Sequence, residues 1–141
     1  MTRSEIALVR EGFHRMEPYL ERVCMAFCGM LFELDLSLRP LFPNDLRPLA
    51  AHLAAGVQTV VRSLDDLQPV LIHAPALGLL LTSYGVMPED LHTVGDALLA
   101  TLKGEIGDAF TEEVRVAWRR LFWIVAAATI GAMNAALPAA A

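Results

Sequence analysis

The chain has 141 residues, long enough for one domain (1–141) with its own core and no need of disulfides or a structural metal. Apolar residues make up 55% and charged residues only 19%, so either the core is large for the chain or apolar surface is shared with a partner. The net charge of −5, with only Arg119 and Arg120 adjacent among scattered basic residues, argues against nucleic-acid binding, which needs a basic patch.

Helical periodicity runs through nearly the whole chain, and no period-two alternation bounded by turn residues stands out. Met1 to Glu5 has no apolar signal segment behind it, so a cytoplasmic location is expected. Ser4 is expected to cap a first helix with Ile6, Val9 and Phe13 inward. Pro18 suits the first turn of a second helix reaching about Leu34. That helix carries Cys24 and Cys28, whose spacing shares a face without favouring a disulfide; both read as reduced thiols. Ser37 to Asn44, with Pro40 and Pro43, reads as a short helical turn and a corner. Asn44 or Asp45 is expected to cap the next helix, with Pro48 tolerated in its first turn.

Asp65 and Asp66 mark a break, and a helix from about Leu67 to Tyr84 is expected to be interrupted near Pro75 and ended by Gly85. Pro88-Glu89-Asp90 opens a long helix weakened at its end by Gly104 and Gly107. Thr111-Glu112-Glu113 opens the last, reaching about Ala136, with a frayed tail after Pro138. The run from Leu121 carries no charge and is long enough to span a bilayer. Gly131, Asn134, Pro138 and the dominance of Ala favour a buried or dimer-facing helix over a membrane span. Ala127, Gly131 and Ala135 form a row of small residues suited to close packing in a homodimer. The expected class is all-α, with six to seven helices.

Several strings in register resemble the bacterial single-domain globins and the globin part of flavohaemoglobins. They are Leu31-Phe32-Glu33-Leu34, Ser37-Leu38-Arg39-Pro40-Leu41-Phe42-Pro43, Leu77-Gly78, Ser83-Tyr84-Gly85-Val86, Val94-Gly95-Asp96-Ala97-Leu98-Leu99, Gly107-Asp108-Ala109-Phe110-Thr111 and Ala117-Trp118. The resemblance covers nearly the whole chain and implies the globin fold around an apolar pocket. It also marks what has changed. Leu81 stands where the family has its iron-binding histidine, and leucine has no lone pair to give iron. Cys28 takes the place of the tyrosine that bonds bound oxygen, and Leu49 that of the distal glutamine. Leu91 replaces the tyrosine that supports the histidine, whereas Phe42, which packs on the haem face, is kept. With Val86 these are the implied pocket-lining positions.

Of the four histidines, none is spaced as a metal pair. His52, one turn after Leu49, is the candidate substitute ligand; a surface histidine near the rim is the plainer reading. Cys28 could ligate as a thiolate, yet no basic residue within a turn lowers its pKa, and a small buried hydrophobe is plainer. His73 would need its helix re-registered, and His14 and His92 read as solvent-facing. The methionines read as core filler, and no catalytic constellation is visible.

Three functional readings follow. In the first, the chain is a non-haem globin, not an enzyme, serving as a sensory, regulatory or interaction domain with a filled pocket or an apolar small-molecule ligand. It takes no predicted cofactor. In the second, it holds haem with atypical ligation through His52 or Cys28 and binds oxygen or nitric oxide. In the third, Cys24 and Cys28 form a redox-sensing thiol pair.

Overall fold

The computed structural model describes residues 1–136, and these residues contain six α-helices and no strand. The first, α1 (Arg3–Met16), is capped by Thr2 rather than Ser4. Thr2 has Glu5 three residues on, and the pair closes a reciprocal box: the Thr2 hydroxyl accepts from the Glu5 amide at 3.1 Å, and the Glu5 carboxylate accepts from the Thr2 amide at 2.9 Å. Ser4 has Ala7 at the corresponding place and cannot close such a box. Pro18 sits in a 3-10 turn, Glu17–Tyr19, that leads into α2 (Leu20–Leu34).

Asp35 opens a second 3-10 stretch, Leu36–Leu41, by accepting from the Ser37 amide. The corner beyond it is tied by Arg39, whose guanidinium donates to the carbonyls of Phe42, Pro43 and Asn44 at 3.0–3.2 Å. Helix α3 (Arg47–Arg62) follows, with Leu46 at its N-cap and no side-chain cap. The expected caps do not serve. Asp45 lies one residue before the N-cap and accepts from the Arg47 amide and guanidinium.

Helix α4 (Gln68–Ser83) runs unbroken through Pro75, against expectation. Proline removes one backbone donor and crowds the preceding turn. Here the ring is exposed, and Val70, Ala74 and Gly78, four apart, form one buried row that holds both halves of the helix down. Their support is α6 (Glu112–Ala136), the chief packing partner of α4. Before it comes α5 (Asp90–Ile106), ended by Gly107 at φ +67°, a conformation that favours glycine. The Thr111 hydroxyl accepts from the Val114 amide at the start of α6.

α6 is long and apolar enough to cross a membrane by length and composition, and it packs against α1, α4 and α5. On the other side α2 packs against α3 and α5. The tail after Pro138 lies outside the described residues.

The α4–α6 crossing depends on Gly78. A Cβ there would lie 2.7 Å from the Thr129 carbonyl oxygen and 3.1 Å from Ala132 Cβ, so the helices would have to part. Gly78→Ala is therefore expected to cost about 1–3 kcal/mol in urea unfolding. Gly29 on α2 is exposed with open space around it, and Gly29→Ala should instead add roughly 0.5–1 kcal/mol. Equal effects of the two substitutions would show that helix propensity, not close approach, decides Gly78.

Candidate functional site

Two apolar clusters meet at the centre of the molecule. One is built from Cys28, Leu31 and Phe32 of α2, Leu38, and Ala97 of α5, with Leu49 of α3 packed against it. The other is built from Val86, Leu91 of α5, and Ala126 and Met133 of α6, with Leu81 of α4 packed against it. Leu41, Phe42 and Val94 touch both. The other five pocket positions expected from sequence are thus divided between the two clusters, and Phe42 adjoins both. Its ring centroid lies 5.7 Å from that of Phe32 and 5.5 Å from that of Tyr84. Both spacings are within the range of favourable aromatic pairs.

Local structure explains why Leu81 and Val86 lie together. Gly85 takes φ +90°, so the chain turns back at the end of α4. The Val86 amide donates to the Leu81 carbonyl at 3.0 Å, and the Gly85 amide donates to the Thr82 carbonyl at 3.0 Å. This is the Schellman pattern, whose usual companion is an apolar contact between the residues that Leu81 and Val86 represent. Leu81 therefore has a structural job of its own: its side chain joins Val86 in sealing the helix end.

Electrostatics at the site is set by burial. Cys28 is 1% exposed, and burial pushes its thiol up. The charge of Arg39, in the corner, works against that rise without overcoming it. Proximity in sequence did not reveal this cation, because it reaches Cys28 through the fold. Cys24 is pushed up to about 11, first by burial and then by Cys28 and Glu21. Neither sulfur has the lowered pKa that a reactive thiol needs.

The histidines stand apart. His52, His14, His73 and His92 are all exposed, and none belongs to either cluster. Among the described residues no group of three His, Cys, Asp or Glu could hold a metal ion. Sequence reasoning also missed Leu41 and Val94, the residues that join the two clusters. Val94 could have been found from its i+3 spacing to Leu91.

Two surface concavities lie elsewhere. A groove of about 480 Å³ beside α1 and the end of α3 is lined by Phe13, His14 and Arg62 among others. A smaller cleft of about 80 Å³ lies between α5 and α6. None of the six central positions lines either one.

No family model matches the chain. A neuroglobin of Tetraodon nigroviridis is 32% identical over 112 residues, covering 69% of this chain and 70% of that protein. The chain belongs to the globin family. A flavohemoprotein of Oceanobacillus iheyensis is 27% identical to this globin over 114 residues, which is 79% of the chain but 28% of the relative. One of Bacillus subtilis is 32% identical over 79 residues, 56% of the chain and 20% of the relative. The globin therefore spans under a third of the flavohemoproteins it matches. The solved bacterial globin of Campylobacter jejuni shares the fold, with a TM-score of 0.83, 17% identity, and coverage of 95% and 97% of the two chains.

The globin fold raises the question of haem. Haem iron needs an axial nitrogen, sulfur or oxygen donor from the protein. Five of the six central side chains are hydrocarbon, and the sixth is a thiol kept protonated by burial. No imidazole stands among these six, and the other donors near them are the Met30 and Met133 thioethers and the Tyr84 phenol.

The raised thiol gives a pH dependence. In the fold Cys24 stays protonated to about 11, whereas an ordinary thiol ionises near 9.0, so the unfolded chain loses its proton first. The contribution of Cys24 to stability is present in full below 9.0 and is lost as pH rises towards about 11. Urea unfolding across that range should show a fall that Cys24→Ala flattens. An unchanged slope in the variant would remove the assignment.

Proposed function

We propose that this globin works without haem, as a sensory, regulatory or interaction domain rather than an enzyme. The observation that carries the reading is the chemistry of the two clusters that share Phe42: they contain no histidine, and their sulfurs are the neutral thiol of Cys28 and the thioethers of Met30 and Met133, with the Tyr84 phenol beside Phe42. By its resemblance to bacterial globins, Leu81 occupies the place of the iron-binding histidine. Its second role, closing the end of α4 with Val86, supports a replacement that keeps the fold while removing the ligand. Of the leucines at the replaced positions Leu91 is fully buried, contributing roughly 1.5–3 kcal/mol that offsets part of the stabilisation a bound cofactor would give, while Leu49 and Leu81 are half-buried. The packing about Phe42 favours a filled interior; a guest admitted there would be apolar, such as a fatty acyl chain. Self-association belongs to the same proposal, through the exposed row Ala127, Gly131 and Ala135 of α6. Sedimentation of wild type as a monomer at all accessible concentrations would remove that part alone.

The test is a hemin titration of the apoprotein, followed by visible spectra of the oxidised and reduced forms. Wild type is expected to bind hemin only weakly and without a sharp Soret band. Leu81→His places an imidazole at the end of α4 and is expected to bind hemin more tightly than wild type. A stoichiometric Soret band in wild type would overturn the proposal. Loss of that band in His52→Ala or Cys28→Ala would then identify the ligand.

A further inference from the structure

The cleft between α5 and α6 has a composition that the central site lacks. On α5 its wall is made by His92, Gly95, Asp96 and Leu99, spaced i, i+3, i+4 and i+7 and hence on one face. On α6 it is made by Arg119, Phe122 and Trp123. Gly95 creates the floor. A Cβ there would lie 2.8 Å from Phe122 Cε1, so only glycine lets that ring lie against the α5 backbone. Trp123 stands edge-on to Phe122, with centroids 5.2 Å apart, and the His92 ring packs 4.8 Å from Trp123. The result is an aromatic floor with one cation and one anion at the rim.

Those two charges face one cleft without pairing. Arg10, Arg15, Arg47, Arg115 and Arg120 each have a carboxylate partner, and Arg39 has three carbonyls. Arg119 and Asp96 line the same small cleft, yet neither takes part in an ion pair or a side-chain hydrogen bond among the described residues. They do not pair with each other, and Phe122 and Trp123 line the cleft with them. A molecule with its own opposite charges would satisfy both.

We propose that this cleft binds a small zwitterionic amino acid. Arg119 takes the carboxylate by a charge-assisted hydrogen bond. Asp96 takes the ammonium, which also lies against the ring faces of Phe122 and Trp123. The volume sets the size class: about 80 Å³ holds on the order of six non-hydrogen atoms, the size of glycine or alanine. Phe122 and Trp123 also pack against the cluster of Val86, Leu91, Ala126 and Met133, so occupant and globin interior share a wall. The proposal is independent of whether the interior holds haem.

The experiment is titration of the full chain with glycine and L-alanine, read by the fluorescence of Trp123 and by amide shifts at His92 and Gly95. Acetate and methylammonium, each carrying one of the two charges, serve as comparisons at equal ionic strength. Trp118 is buried in the core, and Trp123→Phe isolates the reporter. The zwitterions are expected to saturate and to bind at least about tenfold tighter than either half. Arg119→Gln and Asp96→Asn, both at exposed positions, should each remove about that factor. Acetate or methylammonium binding as tightly as glycine would overturn the proposal. So would the absence of any saturable change at both reporters.

Discussion

The arrangement of the globin interior depends on how closely α4 can approach α6. Helices usually keep 8–10 Å between their axes because side chains stand between them. At Gly78 there is no side chain, and the α4 backbone comes down onto the Thr129 carbonyl and Ala132. That contact fixes where α4 ends. Leu81 lies one turn beyond Gly78, and the Gly85 turn then delivers Val86 back towards the same cluster. Were α4 to lift off α6, Leu81 would lose its place among Val86, Leu91 and Met133, and the helix-end contact would lose its support. Ala126 and Met133 line that cluster from α6, so the residue facing the centre of the globin is held by the same crossing that supports the whole C-terminal half.

The opposite wall is held differently. Arg39 binds three successive carbonyls of the corner and stacks over Phe32, so Phe42 is presented from a rigid turn. One guanidinium thus does two jobs. It satisfies backbone acceptors that would otherwise lack a donor, and it places a positive charge near Cys28. Burial of the thiol still wins, because leaving water penalises a thiolate more than one partly screened cation rewards it. The Cys28 thiol consequently stays neutral among its apolar neighbours.

Most of this was legible in the sequence where it rested on period and on register. The helices follow from apolar spacing, and the globin fold follows from aligned strings such as Leu31-Phe32 and Tyr84-Gly85-Val86. What misled were local rules taken singly. Ser4 is a good cap by composition, but Thr2 has the partner that makes a cap reciprocal. Pro75 signals a break, yet the buried row Val70, Ala74 and Gly78 outweighs one missing backbone bond. Asp45 resembles a cap, but Arg47 claims its carboxylate. The α5–α6 cleft was hidden for another reason. It needs residues from two helices, and the facing runs His92, Gly95, Asp96, Leu99 and Arg119, Phe122, Trp123 mean little until the helices are laid side by side.

A globin that works without iron must receive its signal by some route other than a bond to metal. Packed interiors do not deform gradually; a change at one wall is passed on when neighbouring side chains move between discrete rotamers. Phe122 is placed for such transfer. One side of its ring rests on the bare backbone of Gly95 at the floor of the cleft, and the same side chain packs against the cluster that contains Val86 and Leu91. An occupant held between Asp96 and Arg119 would restrict that ring and its neighbour Trp123. The restriction would reach Leu81 through a shared cluster, not through a chain of distant contacts. On the proposed reading, the α5–α6 face is where a charged molecule would act on the interior without entering it.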